Sequence, residues 1–403
     1  MKRIAIIGAG ACGLWTALAL AKSKQRFSID IFERFDNVGK KIAMSGNSRG
    51  NLGNTNVRPQ AYNNPIFVAS LIGKYDADWS IDAFESFGVK VLSDEAGRLY
   101  PISEHAKSIV MQLKSILNTS KVQIHENHPI ANIDHDATMN TYIIEGRTYD
   151  QVVIATGSNA GLGPTISPSS IPTINHQVRL NETRRFPALC AIGVTGDIRL
   201  LENIRVKAKL TLMLGNHEYG AKGEVQFIHN AISGIAAFVL SSYIARSMVA
   251  HGKLENPSLL ILDLLPTLSY RQLRAYLAKH VDETTFDRHS LTGLFHQNVS
   301  AWLYARYREG RPAGFNTDAM VELIKHVAFN IDINYMPRNN QVLAGGVATY
   351  QVNSDTLECY DLPNLYIGGE ALDIDGLCGG YNLHYAFACG EAIASVIIKK
   401  ASQ

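Results

Sequence analysis

The sequence predicts an α/β protein with a parallel sheet at its centre, and three observations carry that prediction. Residues 4–7 form a short, wholly apolar run, as expected for a buried central strand. A G-x-G-x-x-G turn at residues 8–13 follows directly, and residues 14–21 have the composition of a helix. A second strand, at residues 28–32, ends in Glu33. Because strand, glycine turn, helix, strand and acid fall in register, the sequence predicts a dinucleotide-binding unit.

The three glycines of the turn are expected to have different mechanical roles. Gly8 lets the chain turn tightly, Gly10 lets the backbone approach a diphosphate, and Gly13 lets the helix pack closely on the strand. The diphosphate would then lie on the free N–H groups at the start of that helix, at the positive end of its dipole.

The acid at Glu33 completes the unit, because a carboxylate there accepts hydrogen bonds from the ribose hydroxyls of an adenosine. Two other interpretations exist. The turn could be a glycine-rich turn without function. Alternatively, Lys2 and Arg3 followed by the uncharged residues 4–21 could be a secretory signal. We favour the dinucleotide interpretation, because three glycines at this spacing suit a signal core poorly.

Composition excludes several classes of protein. The chain has 403 residues, 46% of them hydrophobic and 18% charged, which is typical of a globular protein of two or three domains. A net charge of +2 without a basic run argues against a nucleic-acid partner. The apolar stretch 231–245 is too short to span a membrane. Five cysteines without a C-x-x-C pair argue against a disulfide scaffold or a zinc or iron–sulfur site, and favour a cytoplasmic location.

A polar loop at residues 39–56 follows the second strand. Its glycine, amide and hydroxyl residues cannot build a core, but they can surround a polar ligand. Lys40, Lys41 and Arg49 could neutralise phosphates. The alternative is a solvated surface loop.

Residues 66–150 alternate helices and short strands, and they lead to an apolar strand at 151–154. That strand ends in Ala155, Thr156 and Gly157, which would allow another close backbone approach. A plain buried strand followed by a turn explains the same residues equally well. Helices are expected at residues 77–87 and 105–117, and strands at 89–92, 122–125 and 141–144.

The chain is expected to divide into a discontinuous dinucleotide domain and an insertion. Residues 157–172 are rich in glycine, serine and proline and predict a boundary. The dinucleotide domain would comprise residues 1–160 and 341–403. A mainly β domain would follow the boundary at 187–265, and a helical subdomain at 266–330. Within the insertion, strands are expected at 189–194, 204–214, 223–228 and 258–262, and helices at 231–249, 268–277, 292–307 and 318–327.

The C-terminal part repeats the features of a binding site. Strands at 341–347 and 365–370 precede a glycine-rich loop and a helix at 383–399. A strand that ends in Gly369 and Glu370, followed by a loop and a helix N-terminus, suits a polar or anionic group.

These stretches resemble the BaiN/YhiN-like flavoproteins, which include the aminoacetone oxidase-like FAD-binding enzymes. The specific matches are the loop at 39–56 and the stretch G-E-A-L-D-I-D-G-L-C-G-G-Y-N-L at 369–383. Further matches are R-L-Y-P-I-S-E-H-A-K-S at 98–108 and G-E-V-Q-F-I-H-N-A-I-S-G at 223–234. The chain departs from the family where S-G-x-G-R-C-N is usual, because Gly50 stands in the cysteine position.

The resemblance implies a discontinuous Rossmann FAD domain of the glutathione-reductase type, with an inserted β-barrel-like domain and a small helical subdomain. Glu370 would accept from the ribityl hydroxyls, and the helix beginning near Asn382 would direct its N–H groups at the flavin. The residues expected to bind FAD are Gly8, Gly10, Ala11, Cys12, Gly13, Glu33, Arg34, Lys40, Lys41, Ser45, Gly46, Asn51, Ile130, Ala155, Thr156, Gly157, Gly369, Glu370, Asp373, Gly380, Tyr381, Asn382 and Leu383.

The resemblance also implies the activity of an FAD-dependent oxidoreductase that acts on a small organic substrate by hydride transfer through flavin N5. An oxygen-using amine oxidase is the alternative, followed by a flavin-dependent RNA-modifying protein. The sequence has no second dinucleotide fingerprint, so NAD(P)H would dock transiently as electron donor. His229, Cys378, Tyr381 and His384 are candidates for catalysis, but structural roles explain the histidines and the cysteine at least as well. No catalytic residue, substrate or oligomeric state is therefore assigned.

Overall fold

The computed structural model describes residues 1–120, 122–161, 171–174, 180–282, 284–309 and 314–403. The chain forms two compact units. The first comprises Met1–Asn159, Ser167–Arg185 and Leu343–Gln403, and the second comprises Ala160–Ile166 and Phe186–Val342. Most of the boundary expected at 157–172 lies outside the described residues, and the predicted domain limits stay a prediction.

The strands follow one another along the chain and are numbered in that order. They are β1 (Lys2–Ile7), β2 (Phe27–Phe32), β3 (Gly53–Asn54), β4 (Val91–Ser93), β5 (Arg98–Pro101), β6 (Val122–His125), β7 (Asn132–Asp136), β8 (Thr141–Ile144), β9 (Arg147–Tyr149), β10 (Gln151–Ile154), β11 (Thr173–Ile174), β12 (Phe186–Ala188), β13 (Ile192–Val194), β14 (Arg205–Leu214), β15 (His217–Ile228), β16 (Ala231–Ser233), β17 (Ser258–Asp263), β18 (Val327–Asp332), β19 (Val342–Ala344) and β20 (Leu365–Ile367).

The helices are numbered in the same way. They are α1 (Ala11–Lys22), α2 (Lys40–Met44), α3 (Pro65–Lys74), α4 (Ala77–Ser86), α5 (Ala106–Thr119), α6 (Ile235–His251), α7 (Tyr270–His280), α8 (Gln297–Arg308), α9 (Thr317–Lys325) and α10 (Tyr381–Ala401). None of those described combines the length and apolarity needed to cross a bilayer.

The first unit is built on a parallel sheet in the strand order β20-β10-β1-β2-β6. Ile6 in β1 lies opposite Val153 on one side and Ile31 on the other. These side chains are fully buried, which explains why the strands read as continuous apolar runs. The carboxyl ends of the five strands share one edge of the sheet, and the chain leaves β1 towards β2 while β10 lies on the other side. This arrangement places a crevice at the end of β1, where ligands of such sheets bind.

Helices α1 and α10 pack directly against each other beside this sheet. A Cβ atom at Gly390 would lie 2.6 Å from the carbonyl oxygen of Cys12, so only glycine permits the approach. Trp15 of α1 is fully buried, and its ring contacts those of Phe84 and Phe387. This aromatic cluster fixes the position of α10 relative to the glycine turn.

The second unit is a closed antiparallel barrel in the strand order β13-β16-β15-β14-β17-β18. Together with the parallel sheet, it confirms the predicted Rossmann-type fold with a β-barrel-like insertion. The helices α7, α8 and α9 lie between β17 and β18 along the chain.

Strand β18 was not expected, because residues 318–327 were predicted as one helix. The helix ends at Lys325. In the strand that follows, Val327 and Phe329 are buried, whereas Ala328 and Asn330 are exposed. The pattern has a period of two, as in a strand with one buried face. Helix α8 also begins later than the predicted residue 292, at Gln297.

We predict effects of different size on folding for alanine at two of the fingerprint glycines. A Cβ at Gly13 would lie 2.0 Å from the Gly8 carbonyl oxygen, whereas a Cβ at Gly10 meets no described atom within 4 Å. Gly13→Ala should therefore lower the free energy of unfolding by about 1–3 kcal/mol despite the better helix propensity of alanine. Gly10→Ala should lower it by less than about 1 kcal/mol. Urea unfolding of the two apoproteins, followed by tryptophan fluorescence, compares them. Equal unfolding midpoints would contradict the packing role of Gly13.

Candidate functional site: a crevice at the edge of the parallel sheet

The glycine turn after β1 is held by backbone contacts that exclude side chains. Gly8 has a φ of 104°, and a Cβ there would lie 2.4 Å from the carbonyl oxygen of Ala155, at the end of β10. The glycine turn therefore packs tightly between two strands and α1. In contrast, the space that a side chain at Gly10 would enter is open. This is the arrangement that the three predicted glycine roles require.

Helix α1 begins in this turn without a capping group. Gly10 occupies the N-cap position, no side chain caps the helix, and its first turn contains no acidic residue. The N–H groups of Ala11 and Cys12 therefore lack the partners that a helix N-terminus normally recruits from its own sequence. A site of this kind favours an anion.

Glu33 lies beside the turn and is almost fully buried. One carboxylate oxygen accepts from the N–H of Ala9 at 2.8 Å, and the other accepts from the N–H of Phe35 at 3.0 Å. A carboxylate accepts about four hydrogen bonds, so capacity remains for ribose hydroxyls. Glu33 therefore holds the glycine turn in place through these hydrogen bonds. The position of Glu33 in the sequence did not predict this structural role. Burial lowers the pKa of the Arg34 guanidinium, and the nearby Glu33 carboxylate opposes part of this shift. The guanidinium stacks on the ring of Phe35.

The segment after β10 forms the second wall of the crevice. Gly157 has a φ of 63°, which favours glycine. The hydroxyl oxygen of Thr156 is buried and has no hydrogen-bond partner among the described residues. Buried hydroxyl groups are normally paired, so the Thr156 hydroxyl is available to form a hydrogen bond with a ligand in the crevice.

The segment after β20 carries Glu370, which joins a compact network. One of its oxygens accepts from Lys41 at 2.5 Å, and the other accepts from the Ser158 hydroxyl at 2.6 Å and from the N–H of Leu343 at 3.0 Å. Lys41 also donates to Ser158 at 2.9 Å. Protein donors therefore occupy most of the acceptor capacity that was expected to serve the ribityl hydroxyls.

The other two cations of the 39–56 loop have different partners. Lys40 pairs with Asp36 at 3.4 Å and lies 4.1 Å from the ring centre of Phe35. Arg49 pairs with Glu104 and lies over the ring of Tyr100. The three cations are thus separated, and only Lys41 contacts the segments that follow β10 and β20.

Helix α10 begins in the same uncapped way as α1. Its N-cap, Gly380, is left-handed with a φ of 100°, no side chain caps the helix, and its first turn contains no acid. The Asn51 amide, oriented so that both its ends are satisfied, donates to Gly53 at 2.9 Å and accepts from the N–H of Gly380 at 3.2 Å. The side-chain amide of Asn382 accepts from the N–H of Gly376 and donates to the carbonyl oxygen of Gly376. These two hydrogen bonds stabilise the glycine-rich loop before α10.

The remaining predicted residues have varied local environments. The hydroxyl of Ser45 donates to the carbonyl oxygen of Ile42 at the end of α2. Gly46 packs against Tyr100. Asp373, whose pKa is raised by burial, accepts from Thr183 and Asn63. Gly369 faces Cys12, and Tyr381 is mostly buried in the first turn of α10. Leu383 and Ile130 are half-buried, and Ala155 directly follows β10.

The two uncapped N-termini are spaced for an extended ligand. Gly390 contacts Cys12 at the start of α1, and Tyr381 precedes it by nine residues, a rise of about 13 Å along α10. An open space above Gly10, an unpaired buried hydroxyl and two uncapped helices fit a long anionic dinucleotide such as FAD.

The candidates for catalysis lie in different environments. His384 is fully buried, bonds the Tyr75 carbonyl at 2.7 Å, and has its pKa lowered by burial, which favours a neutral structural histidine. Burial raises the pKa of Cys378 to about 11, with Arg98 opposing, so its thiol is not activated. His229 belongs to the second unit, where it is exposed and pairs with Glu202.

Sequence reasoning missed Ser158, Asn63 and Thr183 as members of these networks. Ser158 follows the Ala-Thr-Gly stretch directly, and its position there was an available signal. Asn63 and Thr183 lie far from Asp373 in the chain, and no local pattern connects them.

Known proteins resemble the chain over almost its full length. A family model described as the HI0933-like protein Rossmann domain matches residues 2–396. The 3-dehydro-bile acid delta(4,6)-reductase of Clostridium scindens is 30% identical, covering 97% of both chains. A ribosomal RNA dihydrouridine synthase of Haemophilus influenzae is 28% identical, covering 98% of both. Among solved structures, the 3-ketosteroid delta1-dehydrogenase of Sterolibacterium denitrificans has a TM-score of 0.48 at 11% identity, covering 99% of this chain and 100% of its own.

The family match includes both sequence segments that build the crevice, around residues 8–56 and 369–383. It confirms the resemblance inferred from the motifs, and with it the expectation of an FAD-dependent oxidoreductase. The chain belongs to the HI0933-like family of Rossmann-domain proteins.

Proposed function

We propose that this protein holds FAD in the crevice of its first unit and reduces a carbon–carbon double bond conjugated to a carbonyl group in a small organic substrate. The two uncapped helix N-termini support the cofactor part of the proposal. The shared chemistry of the relatives supports the substrate part.

The names of two relatives describe related reactions. A 3-dehydro-bile acid carries a ketone, and a delta(4,6)-reductase acts on double bonds conjugated with it. Dihydrouridine is uridine in which a ring double bond conjugated with a carbonyl has been reduced. Bile acids and ribosomal RNA are very different molecules. We therefore propose for this chain the type of bond that the relatives reduce, and not the shape of either substrate.

The residues at the sheet edge would hold the adenosine diphosphate half of the cofactor. The N–H groups of Ala11 and Cys12 would bind the diphosphate, and Glu33 would accept from the ribose while it keeps the turn closed. The first turn of α10 would face the redox-active end, where its positive dipole stabilises negative charge. When bound, FAD supplies the two-electron chemistry as hydride transfer at N5.

A nicotinamide cofactor is proposed as the transient electron donor. The sequence contains a single G-x-G-x-x-G fingerprint, and the turn that carries it is assigned here to FAD. A donor would therefore dock briefly at the open side of the flavin rather than occupy a domain of its own.

Ribosomal RNA is the second candidate substrate, because two dihydrouridine synthases match 98% of the chain. The net charge of +2 weighs against it, since RNA-binding surfaces are usually strongly basic. An amine substrate with oxygen as acceptor, as in the aminoacetone oxidase-like enzymes, is the third.

We predict that the reduced holoenzyme transfers electrons to conjugated enones. The protein, purified with its flavin and reduced anaerobically by NADPH or NADH, is mixed with a 3-keto-4,6-diene steroid and with 2-cyclohexenone. Flavin absorbance should report reoxidation at least about a hundredfold faster than with cyclohexene, whose isolated double bond lacks the carbonyl that accepts charge.

The same measurement of flavin absorbance distinguishes the three candidate substrate classes. Reoxidation only by a uridine-containing ribosomal RNA fragment would favour RNA as the substrate. Reduction of the oxidised holoenzyme by aminoacetone, with no response to enones, would favour an amine oxidase. Either result overturns the proposed substrate class, and a protein that binds no FAD overturns the whole proposal.

We also predict that Gly10→Ala weakens FAD binding without unfolding the protein. The added methyl group would enter the space that no described atom occupies, where the diphosphate is expected to approach. The dissociation constant, measured by quenching of flavin fluorescence, should rise by about tenfold or more. Unchanged affinity would mean that the open space above Gly10 is not the diphosphate site.

A further inference from the structure

Glu370 presents an electrostatic problem for the proposed cofactor site. Its neighbour Gly369 packs against the first turn of α1, where a Cβ at Gly369 would lie 3.2 Å from the Cβ of Cys12. The carboxylate is only 16% exposed and belongs to the segment that lines the crevice. An acidic group this close to the proposed diphosphate site would repel an anionic ligand, and weak screening at a partly buried position makes the repulsion effective.

Lys41 is placed to remove this repulsion. Its ammonium group contacts Glu370 at 2.5 Å and Ser158 at 2.9 Å, so it joins α2 to the segments after β10 and β20. Its side chain is 38% exposed, and it reaches inward from the loop that borders the crevice. Lys40, next to it in sequence, points to Asp36 and Phe35 instead.

We propose that Lys41 is a positioning residue that makes the crevice receptive to an anionic cofactor by neutralising Glu370, rather than by binding the phosphates itself. Glu370 in turn is kept in place by Ser158 and by the N–H of Leu343. The diphosphate then interacts with the uncapped N-terminus of α1 without repulsion from an unpaired Glu370 carboxylate. This inference rests on the proposed FAD site and adds to it the reason why an acid can line that site.

A double-mutant cycle tests the inference through cofactor affinity, without any turnover. The variants are Lys41→Met, Glu370→Gln and the combination of the two. Lys400→Met is the matched control, because Lys400 forms an ion pair of similar exposure with Glu358 at the other end of α10. Each apoprotein is titrated with FAD by flavin fluorescence, and the dissociation rate of each complex is measured by dilution. Thermal unfolding of each apoprotein reports folding separately.

Lys41→Met should raise the FAD dissociation constant by about 10–100-fold, because it leaves the Glu370 carboxylate uncompensated beside the ligand. Glu370→Gln should change it by less than about fivefold, and adding it to Lys41→Met should restore most of the lost affinity. Lys400→Met and Lys41→Arg should bind FAD nearly as the wild type does, since the first leaves the Lys41–Glu370 pair intact and the second preserves its charge.

Three outcomes would overturn the inference while leaving the FAD site standing. If the double variant binds as weakly as Lys41→Met, the lysine contacts the phosphates directly. If Lys400→Met loses as much affinity as Lys41→Met, the effect comes from the net charge of the protein. If Lys41→Met lowers the unfolding temperature and leaves FAD affinity unchanged, the network is only structural. Failure of the wild-type protein to bind FAD is a different result, and it removes the proposed function itself.

Discussion

The backbone contact between the glycine turn and the end of β10 determines most of what the first unit can do. Gly8 lies so close to Ala155, and Gly13 so close to Gly8, that neither position accepts a side chain. The contact brings the start of α1 to the edge of the sheet, between two strands. Because the N-cap is a glycine, the helix reaches that edge with its N–H groups uncapped. The affinity of the crevice for anions follows from this packing.

The charges around the crevice are balanced by a small number of contacts. Two helix N-termini without acidic residues favour negative charge at two points along α10. Glu33 and Glu370 lie in segments that line the crevice, and both are engaged by protein donors: Glu33 by backbone N–H groups and Glu370 by Lys41, Ser158 and a backbone N–H. Glu33 therefore keeps acceptor capacity for hydroxyl groups of a ligand, and the charge of Glu370 is balanced by Lys41.

Parts of the fold were predictable because their signals are local. The run of apolar residues in β1, the spacing of the glycines and the acid after β2 all lie within 33 residues of the N-terminus. Strand β18 was not predicted, because its short alternating pattern follows a strong helical pattern without a turn signal. Its pairing with β13 joins residues far apart in sequence, and only the closed barrel makes that pairing favourable.

The sequence by itself determined the parallel sheet, the glycine turn, the β-rich insertion and the residue types that a dinucleotide requires, because these depend on composition and spacing over short stretches. The tertiary structure alone decided which partners the charged side chains have. Lys40, Lys41 and Arg49 look equivalent in a polar loop, yet only Lys41 reaches Glu370, while the other two pair with acids elsewhere. Long flexible side chains acquire a partner only when distant segments are brought within reach, and no local pattern encodes that distance.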